Sequence, residues 1–225
     1  CVAVCPHGAL SLKTLSPEDC LALDDSKTLT PEHTEHFLRA RRSIRTYKEA
    51  PVEKQTLSEI IRLASFAPSG HNCQPVKWHV ISGRDKVKEH TALVIEWMKQ
   101  TLKENPKLAK AMHFDMLVGA WKFGMDTVTR SAPTLVLAQG KDNNPMAPAA
   151  CTIAMTYLDL AAQSFDVGTC WCGYFLMAAM SYPPLAEKLG KNDGLRTYAV
   201  MMAGYPKIKY HRMPPRNAPN ITWME

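Results

Sequence analysis

The 225-residue sequence lacks a charged N-terminal flank followed by an apolar stretch, so it shows no targeting segment. It also lacks a basic run with interleaved aromatic residues, and its net charge of +6 is mild for this length. Nucleic-acid binding is therefore not expected. No repeat, dinucleotide fingerprint or Ser–His–Asp pattern is present. Hydrophobic residues at 46% and charged residues at 21% exclude collagen-like and wholly disordered chains.

The uncharged stretch 167–186 is the one segment with the length of a membrane span. It contains two glycines and the pair Pro183-Pro184, which would break a spanning helix. We expect this stretch to be buried inside the protein and not to cross a membrane.

Seven cysteines, an odd number, without a signal peptide argue against a disulfide framework and favour a cytoplasmic protein. The spacing Cys170-x-Cys172 invites a metal site, but no second cysteine pair at zinc spacing accompanies it. The neighbouring glycines, Gly168 and Gly173, instead favour a close approach of the backbone to a flat ligand.

The chain divides into a cysteine- and turn-containing segment at 1–35 and a packed domain at 36–225 that ends in an extended arm from about residue 206. Apolar periodicity predicts one helix with a capping box between Thr56 and Glu59, and two further helices. The predicted helices are 54–67, 85–103 and 149–166, and the predicted strands are 76–82, 134–138 and 196–203. The expected class is α+β or α/β, with a sheet covered by helices.

The segment RRSIR at 41–45 concentrates positive charge beside a serine. Guanidinium groups bind phosphate oxygens in pairs of hydrogen bonds, and alternate residues of an extended segment face the same side. The segment is either a phosphate clamp or a solvated helix end.

The loop APSGHNCQP at 67–75 lies between a predicted helix and a predicted strand. Its side-chain amides, Asn72 and Gln74, both donate and accept hydrogen bonds, which suits the edge of a heteroaromatic ring. The loop is either one wall of a ligand pocket or an ordinary connection. The basic arm after residue 206 is likewise either a cover for an anion or a solvated tail.

Taken in order, these segments resemble the FMN-dependent nitroreductase family over about residues 36–216. The marks are RRSIR, APSGHNCQP, the pair Ala132-Pro133 before a strand, GTCWCG at 168–173 and GYP at 204–206 with arginines after it. The resemblance implies an α+β fold with a central, mostly antiparallel sheet flanked by helices. It also implies an intertwined homodimer with FMN at its interface.

The resemblance also implies a role for each matched residue. Arg41, Arg42, Ser43 and Arg45 would hold the phosphate and ribityl chain of FMN, with Arg212 and Arg216 completing the phosphate site. Pro68, Ser69, Gly70 and Asn72 would approach the flavin from the partner subunit. Trp171, Cys172 and Gly173 would line the isoalloxazine ring, with a backbone N–H near N5. Many family members carry glutamate where Cys172 stands, which is tolerable if only the backbone matters.

The sequence begins with Cys1 and not with methionine. Cys1 and Cys5 followed by Pro6 resemble the last part of the ligand run of a bacterial-type ferredoxin. The first 35 residues would then be the remnant and linker of a ferredoxin-like segment. The two cysteines would bind a 4Fe-4S cluster only if the remaining ligands lie upstream.

The resulting expectation is an FMN oxidoreductase that reduces nitroaromatic, quinone or similar flat acceptors in a ping-pong reaction. The electron donor would be NAD(P)H or an iron–sulfur protein of the ferredoxin type. Three alternatives remain open: an FMN electron-transfer module that serves a protein partner, a specialised enzyme of the dehalogenating or flavin-destroying type, and a structural protein without flavin. The specialised enzyme would use residues 104–130 as a lid with Trp121 and Phe123 over the ring; otherwise these residues are a helix pair at the dimer surface.

Overall fold

The computed structural model describes residues 2–224, and the chain divides into two compact units with the boundary after Arg39. The first unit contains three short 3-10 turns and most of helix α1 (Pro31–Ala40). All further helices and strands belong to the second unit. Helices of the second unit are α2 (Lys54–Ala64), α3 (Arg84–Glu104), α4 (Pro106–Ala111), α5 (Phe114–Lys122), α6 (Ala147–Ala162), α7 (Gly173–Ser181) and α8 (Pro183–Lys188). Its strands are β1 (Lys77–Ser82), β2 (Thr134–Lys141), β3 (Gly168–Trp171) and β4 (Leu195–Gly204).

The four strands form one sheet in the order β1-β2-β4-β3, and each neighbouring pair is antiparallel. Helices cover both faces of the sheet. Successive residues of β2 therefore pack into two separate apolar clusters, one on each face. Leu135 and Leu137 pack on one side with α3, α5 and α7, whereas Val136 and Ala138 pack on the other with α2 and α6. The continuous apolar runs of the central strands follow from burial on both faces. The expected α+β fold is confirmed.

Helix α2 buries Leu57, Ile60 and Ala64, as its periodicity predicts. The predicted capping box is wrong. The helix begins at Lys54, and the N–H of Leu57 already donates to the Glu53 carbonyl at 3.0 Å. Thr56 therefore lies inside the helix, and Glu59 instead forms an ion pair with Arg62 at 2.9 Å.

Helix α6 is buried on the side that faces the sheet but not all round. Ile153 and Tyr157 are 38% and 41% exposed on its outer face. The stretch 167–186 folds as β3, α7 and the start of α8, so it is divided among short elements. Within the part of the chain that the structure describes, no helix has the length and apolarity needed to cross a membrane.

Candidate active site

The segment RRSIR lies in extended conformation along the outer edge of β3. Ser43 forms a parallel bridge with Thr169, and the N–H of Ile44 donates to the Thr169 carbonyl at 2.9 Å. A Cβ atom on Gly168 would lie 2.6 Å from Cγ1 of Ile44, so only glycine permits this approach. The arginines are therefore presented by backbone that is fixed to the sheet.

The side chains of this segment do not all face one cavity. Arg41 forms an ion pair with Asp159, with 3.6 Å between Nη1 and Oδ2. Arg42 lines a cavity of about 660 Å³ together with Lys207 and Lys209, here called the Arg42 cavity. Arg45 lines a second cavity of about 260 Å³ beside the end of β3, here called the Trp171 cavity. The alternation of an extended segment thus separates its charges among three environments.

The Trp171 cavity lies where β3 ends and α7 begins. Trp171, Cys172 and Gly173 all line it, as does Arg45, so the structure brings these four predicted residues together. Gly173 is the first residue of α7, and its N–H has no acceptor within the helix. A Cβ atom on Gly173 would meet no other atom of the chain within 4 Å, so the space beside this glycine is open.

Cys172 contributes backbone and not a reactive thiol. Its N–H donates to the Val200 carbonyl at 2.9 Å, and its Sγ lies 3.6 Å from the Val128 carbonyl oxygen. Burial raises the pKa of the Cys172 thiol to about 12, so the thiol is neutral. Because the Cys172 N–H is occupied in the sheet, the N–H of Gly173 is the one that is oriented for a ligand.

The loop at 67–75 lies at a different cavity. Pro68 and Ser69 line a space of about 480 Å³ between α2 and α6, and Gly70 to Asn72 form a short 3-10 turn beside it. Asn72 has φ +51° and accepts a hydrogen bond from Nε2 of Gln74 at 3.1 Å. A single chain therefore does not bring this loop to the lining of the Trp171 cavity.

The arm after Tyr205 is hydrogen-bonded to the domain at its start and is exposed to solvent further along. The Lys207 N–H donates to the Thr46 carbonyl at 3.0 Å, and the Tyr205 carbonyl accepts from Lys48 at 2.8 Å. Arg212 and Arg216 lie further along in extended, exposed backbone and line neither the Arg42 cavity nor the Trp171 cavity.

Sequence reasoning missed the loop from Asp126 to Ser131, which supplies another wall of the Trp171 cavity through Thr127, Val128 and Arg130. The Asp126 carboxylate accepts from the N–H groups of Val128, Thr129 and Ser131 at 2.8–3.0 Å and from the Thr129 hydroxyl. An aspartate that precedes two threonines was the available signal, because such side chains bond to nearby backbone in turns.

The missed loop also includes an orphaned polar atom. Oγ1 of Thr127 is buried and has no hydrogen-bond partner within residues 2–224. A buried hydroxyl without a partner is costly unless a ligand or water satisfies it. Arg45, the open space at Gly173 and the flat Trp171 surface make the cavity suitable for one edge of a polar heteroaromatic ring.

The two aromatic residues suggested to cover the ring, Trp121 and Phe123, do not reach this cavity. Trp121 packs partly against the core and lines a different surface depression, and Phe123 is 83% exposed. Met112, which precedes the missed loop in the 104–130 region, also lines the Trp171 cavity. Its carbonyl accepts a hydrogen bond from the Tyr174 hydroxyl at 3.3 Å, which ties the end of α4 to α7.

The iron–sulfur expectation gains no support. Cys1 lies outside the described residues. Cys5 accepts the Ala9 N–H at 3.3 Å, and this bond, followed by one from the His7 backbone, lowers the pKa of its thiol. Across residues 2–224, no three His, Cys, Asp or Glu side chains are grouped as metal ligands.

Comparison with known proteins shows the family to which this chain belongs. The nitroreductase family model matches residues 38–205, about three quarters of the chain. The chain belongs to the nitroreductase family. Nitroreductases are FMN-dependent oxidoreductases, so membership confirms both the expected family and the expected class of enzyme. The family match does not extend over the cysteines at the N-terminus.

Individual nitroreductase relatives are distant but span most of the domain. A protein of Archaeoglobus fulgidus named as a candidate NADH dehydrogenase/NAD(P)H nitroreductase is 28% identical over 174 residues, covering 76% of this chain and 84% of the relative. The iodotyrosine deiodinase of Thermotoga neapolitana is 25% identical over 182 residues, covering 77% and 90%. The FMN-bound nitroreductase of Bacteroides fragilis superposes with a TM-score of 0.66 at 21% identity, covering 85% and 98%.

Proposed function

We propose that this chain binds FMN with the ring in the Trp171 cavity and passes electrons from NAD(P)H to nitroaromatic, quinone or similar flat acceptors. The observation that carries the proposal is the meeting of Arg45, Trp171 and the exposed start of α7 at Gly173 in one cavity. Bound FMN would supply the chemistry, since it accepts an electron pair from one substrate and gives it to the next. The donor leaves as NAD(P)⁺, and a quinone leaves as the hydroquinone or a nitro group as nitroso with release of water.

The residues of the chain would bind and orient the cofactor. The Gly173 N–H would donate to the ring edge, Trp171 would form part of the wall, and Arg45 would supply a positive charge beside the ring. Arg41, Arg42 and Ser43 would hold the phosphate and ribityl chain, with Arg212 and Arg216 on the arm. Asp159 pairs with Arg41, so part of the charge of this arginine is already compensated within the chain.

The partner subunit would complete the site in a homodimer. Pro68, Ser69, Gly70 and Asn72 are assigned to the flavin of the partner, which agrees with their separation from the Trp171 cavity within one chain. The outer face of α6 supports a dimer, because Ile153 and Tyr157 leave apolar surface uncovered on an otherwise central helix. Sedimentation of the purified protein tests this, and Tyr157→Glu is expected to yield monomers that lose FMN.

NAD(P)H is the donor that the relatives support, through the Archaeoglobus fulgidus protein. An iron–sulfur protein of the ferredoxin type stays a prediction as the alternative donor. Reductive dehalogenation is a second candidate, supported by the match to iodotyrosine deiodinase over 90% of that enzyme. An FMN electron-transfer module for a protein partner is the remaining alternative.

The visible spectrum and one series of steady-state assays separate these functions. We expect the purified protein to carry the absorption bands of oxidised flavin and to lose them when NADH or NADPH is added without oxygen. Turnover with a quinone or a nitroaromatic then supports the proposal, and turnover with iodotyrosine alone supports dehalogenation. Bound flavin without turnover of any small acceptor supports the electron-transfer module, and absence of flavin after addition of FMN contradicts all three.

A further inference from the structure

The Trp171 cavity carries more positive charge than the flavin ring accounts for. Two arginines line it, Arg45 and Arg130, and no Asp or Glu is among its lining residues. Its remaining surface is aromatic, sulfur-bearing or aliphatic apart from Thr127. Two cations beside an apolar lining, with no carboxylate among the lining residues, raise the local concentration of anions.

The loop that carries Arg130 is fixed beside this cavity by hydrogen bonds to Asp126. Arg130 adopts φ +55° and is followed by Ser131 at φ +52°, both in the left-handed region that non-glycine residues rarely occupy. Such a conformation is unfavourable for a residue with a side chain and persists only where the surrounding structure enforces it. Three backbone hydrogen bonds to Asp126 compensate for this cost, and the buried side chains of Val128 and Thr129 fix the loop from below.

Asp126 is close enough for its charge to contribute, after burial, to the raised pKa of the Cys172 thiol, but its carboxylate is hydrogen-bonded to the loop backbone. Asp126 is not among the lining residues, and its two carboxylate oxygens accept the loop N–H groups and the Thr129 hydroxyl. The Asp126 side chain thus orients the loop, while the Arg130 side chain remains exposed at the mouth of the cavity. The unpartnered hydroxyl of Thr127 lies on the same wall.

We propose that Arg130 determines substrate specificity by binding the carboxylate of a flat aromatic acceptor, with Thr127 Oγ1 as a second donor. This inference rests on the proposed function, in which Arg45 serves the flavin and Arg130 is left for the acceptor. The substrate class is an aromatic carboxylate that also carries the reducible group. A planar guanidinium suits a carboxylate because the two form parallel hydrogen bonds.

The test compares 4-nitrobenzoate with 4-nitrobenzamide, which has a similar shape but no charge. Wild type is expected to show a higher kcat/KM for the anion. Arg130→Gln should lower kcat/KM for 4-nitrobenzoate by about 10- to 100-fold, the equivalent of one charge-assisted pair, and leave 4-nitrobenzamide within about threefold. Arg130→Lys should restore part of the loss, because the charge returns without the paired geometry. Lys122→Gln, a nearby cation outside this cavity, should match wild type for both acceptors.

A calorimetric titration with benzoate tests the anion site without turnover. Wild type should bind benzoate about tenfold or more tightly than Arg130→Gln does, and both should retain FMN equally. Equal benzoate affinities, equal losses for both acceptors, or release of FMN from Arg130→Gln would overturn the assignment. A wild-type protein that binds benzoate through Arg130 but carries no FMN would instead contradict the proposed function alone.

Discussion

Oδ2 of Asp159 lies 3.6 Å from Nη1 of Arg41, and the same carboxylate accepts a hydrogen bond from the Thr169 hydroxyl. Asp159 is the one charged residue of α6 and is only 4% exposed. Burial raises the pKa of this carboxyl, while Thr169 and then Arg41 oppose the rise. One buried carboxylate thus joins α6, β3 and the arginine segment.

The raised pKa of Asp159 predicts a pH dependence of stability. Between the ordinary aspartate value of 3.8 and the raised folded value, the unfolded chain binds fewer protons than the folded one at this site. Stability contributed by Asp159 therefore falls as pH rises through that window. Asp159→Asn should remove this fall, so its free energy of unfolding relative to wild type should increase with pH. Urea titrations at several pH values measure the difference; a difference that is constant with pH would contradict the prediction. Asp142→Asn, an exposed aspartate paired with Arg196, serves as the control.

Residues that follow local patterns were predictable from the sequence, whereas those that depend on distant packing were not. β2 and β4 were visible as apolar runs because both of their faces are buried. The contact between Asp159 and Arg41 joins segments far apart in the chain, and only the lone charge in an apolar helix hinted at it. Arg130 was missed for the same reason, since α5 brings its loop to the end of β3. Trp171 to Gly173 were found because glycine at a strand end marks close backbone approach.

An added methyl group should affect Gly168 and Gly173 differently. At Gly168 it should lower stability, whereas at Gly173 it should weaken cofactor binding. Gly168→Ala would place Cβ within 3.0 Å of three atoms of Ile44, so the arginine segment must shift. We expect a loss of about 1–3 kcal/mol in the free energy of unfolding, the usual cost of overpacking. Urea denaturation of the FMN-free protein measures it, and unchanged stability would show that the segment is free to move away.

Gly173→Ala is the matched variant for cofactor binding. Its Cβ would meet no atom of the chain within 4 Å, so the FMN-free protein should be as stable as wild type. The methyl group would instead occupy the space assigned to the flavin edge. We expect FMN affinity to fall about tenfold or more, as a misfitted methyl in a packed site costs about 1–3 kcal/mol. Fluorescence titration with FMN measures the affinity; unchanged affinity would place the ring elsewhere.

Charge reversal at Arg45 tests the positive charge proposed for FMN. Arg45→Glu should weaken FMN binding by about 10- to 100-fold, because it replaces an attractive group with a repulsive one. The same change at Arg41 is a poorer test, since it would bring a second carboxylate against Asp159 and destabilise the fold. Lys103→Glu, an exposed reversal at the end of α3, controls for net charge. Retention of FMN by Arg45→Glu at wild-type affinity would remove this residue from the site.

Asp126 should affect stability and specificity together, because it shapes the loop that carries Arg130. Asp126→Ala leaves three N–H groups without their acceptor and leaves two left-handed residues without support. We expect a loss of about 2–3 kcal/mol in the free energy of unfolding and a reduced preference for 4-nitrobenzoate over 4-nitrobenzamide. Asp142→Ala removes an exposed ion-paired carboxylate and should cost less than about 1 kcal/mol.

Comparing Asp126→Ala with Arg130→Gln separates loop order from charge. Arg130→Gln removes only the guanidinium group, so it should lower the preference for the anion at nearly wild-type stability. Asp126→Ala keeps the guanidinium group of Arg130 but removes the hydrogen bonds that hold the loop backbone. The preference for 4-nitrobenzoate over 4-nitrobenzamide should therefore fall only partly. It should recover when viscous or osmolyte-containing buffer restores compactness, because excluded co-solvents favour the ordered loop. If Asp126→Ala is destabilised yet discriminates as wild type does, the loop finds its active conformation without the carboxylate and Asp126 has a structural role only.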